Sequence, residues 1–124
     1  MNKSDFETWF KKLGKAWSAR NPKAAASLFS KDCKYYESVF VEPCKNWDDI
    51  LKLWLIVPKN QKNVTFEFKL ISISDNVGIA NWKVTRTLLP SNEKQLVDGI
   101  FQVSLNKQGL CNYFKQWRAV KTLD

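Results

Sequence analysis

The spacing of apolar residues changes from helical to alternating near residue 60 of the chain. Phe6, Trp9, Phe10, Leu13 and Trp17 recur three and four apart, which predicts an amphipathic helix over residues 5–19. Ser4 with Glu7 three positions later reads as a capping box, Ser4 being the N-cap. Asn21-Pro22 restarts helix, because Asn caps and Pro fits a first turn. The stretch PKAAASLF then gives a short, Ala-rich second helix. A third is predicted to begin at Asn46 or Trp47, with Asp48 and Asp49 in a first turn favoured by the helix dipole. It should present Ile50, Leu51, Trp54 and Leu55 on one side and stop at Pro58. Between the second and third helices, CKYYESVFV reads as a strand.

After PKNQKN, the stretch VTFEFKLISI sets Val64, Phe66, Phe68 and Leu70 against Thr65, Glu67 and Lys69, the pattern of a half-buried strand. GIANWKVTRTLL puts Ala80, Trp82, Val84 and Arg86 on one face, with Asn81, Lys83 and Thr85 on the other. PSNEK is a turn, LVDGIFQV a strand, NKQG a hairpin turn ending in Gly109, and LCNYFKQWRAV a last strand. The order α-α-β-α-β-β-β-β indicates an α+β layer architecture. No repeat, linker or low-complexity segment interrupts it.

At 124 residues the chain fits one domain spanning 1–124. Its 14% aromatic content, with six Trp, implies an unusually bulky core or a lined cavity. The opening MNKSDFETWF is polar where a signal peptide needs an apolar run, so a cytoplasmic location is expected. The longest apolar run, ILKLWLIVP, is broken by Lys52 and too short to span a membrane. Three Cys (Cys33, Cys44, Cys111) form no CxxC pair and the chain has no His. No metal or other cofactor is therefore expected, Ser-His and Cys-His nucleophiles are excluded, and the thiols read as reduced and mostly buried. The net charge of +8 comes from 17 Lys and only three Arg, scattered along the chain with Lys11-Lys12 the one adjacent pair. That distribution reads as a solvated surface with no nucleic-acid partner, since such binders cluster their basic residues and favour Arg; weak attraction to acidic partners, anionic ligands or an anionic polymer is the alternative it leaves.

The segments NPKAAASLFSKDCKYYESVFVEP…WDDILKLW, the ANW strand, VDGIFQVSLNKQGLC and the late KQW, in this order and spacing, resemble the nuclear transport factor 2-like superfamily. The resemblance is to its SnoaL-like domains and ketosteroid-isomerase relatives, and covers essentially the whole chain. It implies a cone-shaped α+β barrel, with three N-terminal helices packed in a strongly curved antiparallel sheet around an apolar cavity. It also implies homodimers formed through the sheet. Relatives include isomerases, cyclases, hydrolases, dehydratases and pure binding modules, so the fold does not settle function. Against the isomerase pattern, Glu37 takes the place of the proton-shuttling carboxylate. The helix Tyr position falls at Leu13 and the oxyanion Asp position at Phe101, so both donors of that chemistry are missing. Losing one such donor typically slows a reaction by ~100- to 1,000-fold, and steroid isomerisation is not expected.

Alternation suggests the walls of such a cavity. Trp17, Tyr35, Glu37 and Trp54 are candidates from the first half of the chain, Ala80, Trp82, Val84, Phe101, Phe114, Gln116 and Arg118 from the second. Simple core packing competes with cavity lining for each aromatic. Asp98 is the open question. Strict alternation puts it on the outer face with Ile100 and Gln102, where it would pair structurally. A bulge at Asp98-Gly99, which a glycine inside a strand can mark, would turn it inward. Inward, Asp98 and Glu37 would be the catalytic carboxylates for proton transfer on a hydrophobic small molecule. Gln116 and Tyr35 would orient that molecule, the aromatics would pack on it, and Arg118 would meet an acidic group. The rival function is a non-catalytic binding or dimerisation module. By parity, Tyr113, Lys115 and Trp117 lie on the opposite face, at a dimer seam.

Overall fold

The computed structural model describes residues 2–123. Its first helix, α1 (Lys3–Ser18), is capped by Asn2, whose side chain accepts from the Asp5 N–H while the Asp5 carboxylate accepts from the Asn2 N–H. The capping box is therefore Asn2–Asp5, not Ser4–Glu7. Asn caps as well as Ser does, and the earlier start adds about half a turn. Phe6, Trp9, Phe10, Leu13 and Trp17 are all buried, as their spacing requires.

The second helix, α2 (Pro22–Ala26), starts as expected under an Asn21 cap and ends three residues early. The freed carbonyls at its end are taken by indoles: Trp47 Nε1 donates to the Ala26 oxygen at 2.9 Å and Trp9 Nε1 to the Leu28 oxygen at 3.0 Å. Strand β1 (Phe29–Tyr36) follows at once, earlier and shorter than the strand expected at CKYYESVFV. What stops it is a side chain. Gln116 Nε2 donates to the Glu37 carbonyl oxygen at 2.7 Å, filling the place of the next ladder bond. Beyond it the chain leaves the sheet, and Phe40 is 96% exposed.

Helix α3 (Trp47–Asn60) is capped by Asn46 and buries Ile50, Trp54 and Val57. Leu55, expected on the buried side, is 40% exposed. Pro58 does not end the helix but lies in its last turn. Arg20 Nη1 reaches the terminal carbonyls, donating to Gln61 O at 3.1 Å and Pro58 O at 3.4 Å, the role a basic side chain plays at a C-terminus.

Strands β2 (Gln61–Ser74), β3 (Val77–Leu88), β4 (Lys94–Leu105) and β5 (Cys111–Leu123) make successive antiparallel pairs. β1 joins the edge of β5 in parallel, giving the order β1-β5-β4-β3-β2. The expected all-antiparallel sheet is thus mixed and open. Parallel pairing needs a long crossover, and nearly the whole remaining chain separates β1 from β5. The alternation of β3 and β4 holds: Ala80, Trp82, Val84, Val97, Phe101 and Val103 are buried on the face turned to the helices. There Trp82 stacks on Phe101 at 4.6 Å between ring centroids and Phe101 on Phe10 at 6.0 Å.

Candidate functional site

A cavity of about 260 Å³ opens where α1 and α3 meet the inner face of the sheet. This lies just below the ~300–1,000 Å³ of typical small-molecule sites. Helices supply Trp17 and Trp54 to its walls, and β1 supplies Tyr35 with Glu37 just past its end. From the sheet come Trp82 and Phe101, then Phe114, Gln116 and Arg118 at alternating positions of β5. The residues expected to line a cavity are brought together except Ala80 and Val84, which are buried in the core beside it, and Asp98.

Asp98 lies on the other face. The ladder runs without a shift through Lys83↔Asp98 and Trp82↔Gly99 on one side, and through Asp98↔Ala119 and Gly99↔Arg118 on the other. No bulge turns the carboxylate inward. Its Oδ1 accepts from Asn81 Nδ2 at 2.7 Å, and the same amide reaches the Gly99 carbonyl at 2.8 Å, which satisfies a half-buried charge. Gly99 serves another purpose: a Cβ there would overlap the carbonyl oxygen of Trp117. The glycine marks a close approach of β4 and β5, the second meaning such a residue has inside a strand.

Arg86, Asn60 and Gln61 also line the cavity and were not singled out from the sequence. Arg86 shares the inward parity of Trp82, a signal that was present. Asn60 and Gln61 fell in a stretch read as a connection, because Pro58 was taken as the helix end. Gln61 is buried and accepts from Trp17 Nε1 at 3.0 Å. Arg86 Nε donates to Gln95 Oε1 at 3.1 Å, and Gln95 Nε2 to Glu93.

The electrostatics divide the cavity. Burial, then the Glu37 charge, pushes the Tyr35 phenol well above its ordinary range, so the hydroxyl stays protonated and keeps its donor. Trp54 tempers that shift, although its indole N–H does not reach hydrogen-bond geometry. Burial, then the neighbouring Arg118, disfavours the Arg86 cation, which nevertheless stays charged at neutral pH. Three buried polar atoms of lining residues have no hydrogen-bond partner: Trp54 Nε1, Trp82 Nε1 and Asn60 Oδ1. Among the described residues, no cluster of His, Cys, Asp and Glu is arranged to hold a metal ion.

Solved structures share this architecture throughout. A hexachlorocyclohexane dehydrochlorinase (LinA type 2) superposes with a TM-score of 0.79 at 12% identity, over 98% of this chain and 88% of the other. The fold is the nuclear transport factor 2-like cone. A second such cone, the epoxide hydrolase/cyclase-like enzyme SalBIII of pyran ring formation in salinomycin, gives 0.79 at 12% identity over 98% and 95%. A computationally designed 17-OHP binder on this cone gives 0.79 at 13% identity over 95% and 96%. No protein-family model and no curated protein matches the chain. At these identities the likeness speaks for the cone and not for a reaction.

Proposed function

We propose that this chain binds a hydrophobic small molecule in the aromatic-lined cavity. The observation that carries this reading is the pair of buried, unpartnered indole N–H groups of Trp54 and Trp82 in its walls. A buried donor left unpaired costs about 1–3 kcal/mol, and such a group in a native fold calls for an explanation. A ligand acceptor supplies one. Two cones of the same shape, a dehydrochlorinase and a cyclase-like enzyme, are enzymes and a third is a designed binder, which accords with small-molecule use of this cavity. The test is a thermal-shift screen of aromatic and polycyclic metabolites, because a ligand specific to the native state raises Tm. Hits should lose their effect in Trp82→Ala, and a screen without hits defeats the proposal.

A second reading, proton transfer, rests on Glu37, the one carboxylate expected at the site that does line the cavity. Asp98, on the opposite face, belongs to the sheet's structure in this reading. Glu37→Gln should then abolish turnover of an identified substrate while leaving its binding intact. Equal turnover would overturn the role of Glu37, and a bound compound that is never turned over would leave a binding module. We further propose that two copies pair through the outer sheet face in the cytoplasm, with Tyr113, Lys115 and Trp117 at the seam. Trp117 is 38% exposed there, and Lys115 Nζ sits 5.2 Å from the rings of both Trp117 and Tyr36. No helix among the described residues is long and apolar enough to cross a membrane.

A further inference from the structure

Two of the three arginines in the chain line the same small cavity. The third, Arg20, is engaged with the carbonyls at the end of α3. Positive charge elsewhere is carried almost wholly by lysine, so a pair of guanidiniums lining one cavity is a local departure from the chain's own habit. Like charges repel, and burying a cation without an anionic partner is unfavourable. Arg86 is half-buried, and the two influences that act most on it are burial and Arg118, both unfavourable to its charge. Its one recorded side-chain bond, from Nε to Gln95, uses a single N–H of the five that a guanidinium carries. Glu37 lines the same cavity and, with Arg118, a recess beyond it; its charge also acts on Tyr35 and Cys44. The donor-rich character extends inward to the unpartnered N–H groups of Trp54 and Trp82.

We infer that the ligand is an organic monoacid, an aromatic ring body whose carboxylate is seated between Arg86 and Arg118. The ring body lies against Trp82, Phe101 and Phe114, and the planar fork of each guanidinium matches the geometry of a carboxylate. One negative charge is the right number. Two guanidiniums and the Glu37 carboxylate leave the cavity one positive charge in excess, which a monoanion balances and a phosphate dianion overshoots. The inference rests on the cavity being a ligand site, as proposed above.

Isothermal titration calorimetry with 2-naphthoate and its neutral counterpart 2-naphthamide tests it. The wild-type protein should bind both, the acid about tenfold more tightly. Arg86→Gln and Arg118→Gln should each reduce that preference, and the double variant should abolish it while keeping the amide's affinity. Circular dichroism verifies the fold of each variant. Arg118 is exposed at the rim, so its single variant carries the test should Arg86→Gln not fold. Equal affinities for acid and amide would overturn the carboxylate assignment and leave the cavity reading standing. A preference that survives in the double variant would trace to the general positive charge and overturn it as well. Binding of neither probe would overturn both.

Discussion

Trp9 and Trp47, beside the end of α2, each give their indole N–H to a backbone carbonyl, at 3.0 Å and 2.9 Å. Trp54 and Trp82, at the cavity, are buried and have no partner. The same side chain serves two ends of one core. Near α2, Phe29 packs edge-on against Trp9, Tyr35 and Phe114, and the indole N–H groups of Trp9 and Trp47 are spoken for. Between α1, α3 and β3 the rings are as close, Trp17 lying 5.4 Å from Trp54 and 5.6 Å from Trp82, yet the donors are left waiting. Satisfied tips mark the end that holds the fold together, and on the function proposed above the unsatisfied ones mark the end that meets a ligand.

The sharpest way to break this contrast is to empty the packed end. Phe10→Ala removes a ring that is fully buried against Phe68 and Phe101, and should cost about 3–5 kcal/mol in urea unfolding. A cost under ~1 kcal/mol would mean that this end also yields. Next comes the seam between the ends. Gly99→Ala sets a methyl against the Trp117 carbonyl, and because backbone must give way the loss should approach about 3 kcal/mol, the upper part of the overpacking range. A bulge at this position would instead leave room, and a stable Gly99→Ala protein would reopen the question of where Asp98 points. The smallest effect separates the tryptophans themselves. Trp9→Phe gives up a hydrogen bond to the Leu28 carbonyl, which keeps the one it takes from the Cys111 N–H, whereas Trp82→Phe removes a donor that had no partner. The first should therefore cost about 1 kcal/mol more than the second. Equal losses would erase the distinction.

Much of this was written in local pattern. Helical spacing gave the buried face of α1, and period-two alternation gave the inward residues of β3, β4 and β5, so every lining aromatic expected from the sequence is present at the cavity. What alternation could not supply was partners remote in the chain. Gly99 has two readings inside a strand, and Trp117, from the neighbouring strand, decides between them. The end of β1 is set by Gln116, far along the chain, which is why ESVFV looked like strand and is not. Pro58 was read as a stop because the side chain that supports the helix end, Arg20, comes from another element. Arg86 was different. Its parity was visible beside Trp82, but a charged residue on an inner face was not weighed as part of a site.

The parallel edge has a consequence in time. Hairpin turns join β2 to β5 in sequence, so those four strands need only short loops to find one another. Phe29 pairs with Cys111 across roughly 80 intervening residues, and closing so long a loop carries the largest entropic penalty in the sheet. Contacts of that range form slowly. β1 is therefore the last strand to dock, and with it come Tyr35 and the Glu37 wall. The curved sheet can assemble as an open trough before it becomes a cup, and the cavity is the final thing this chain makes as it folds.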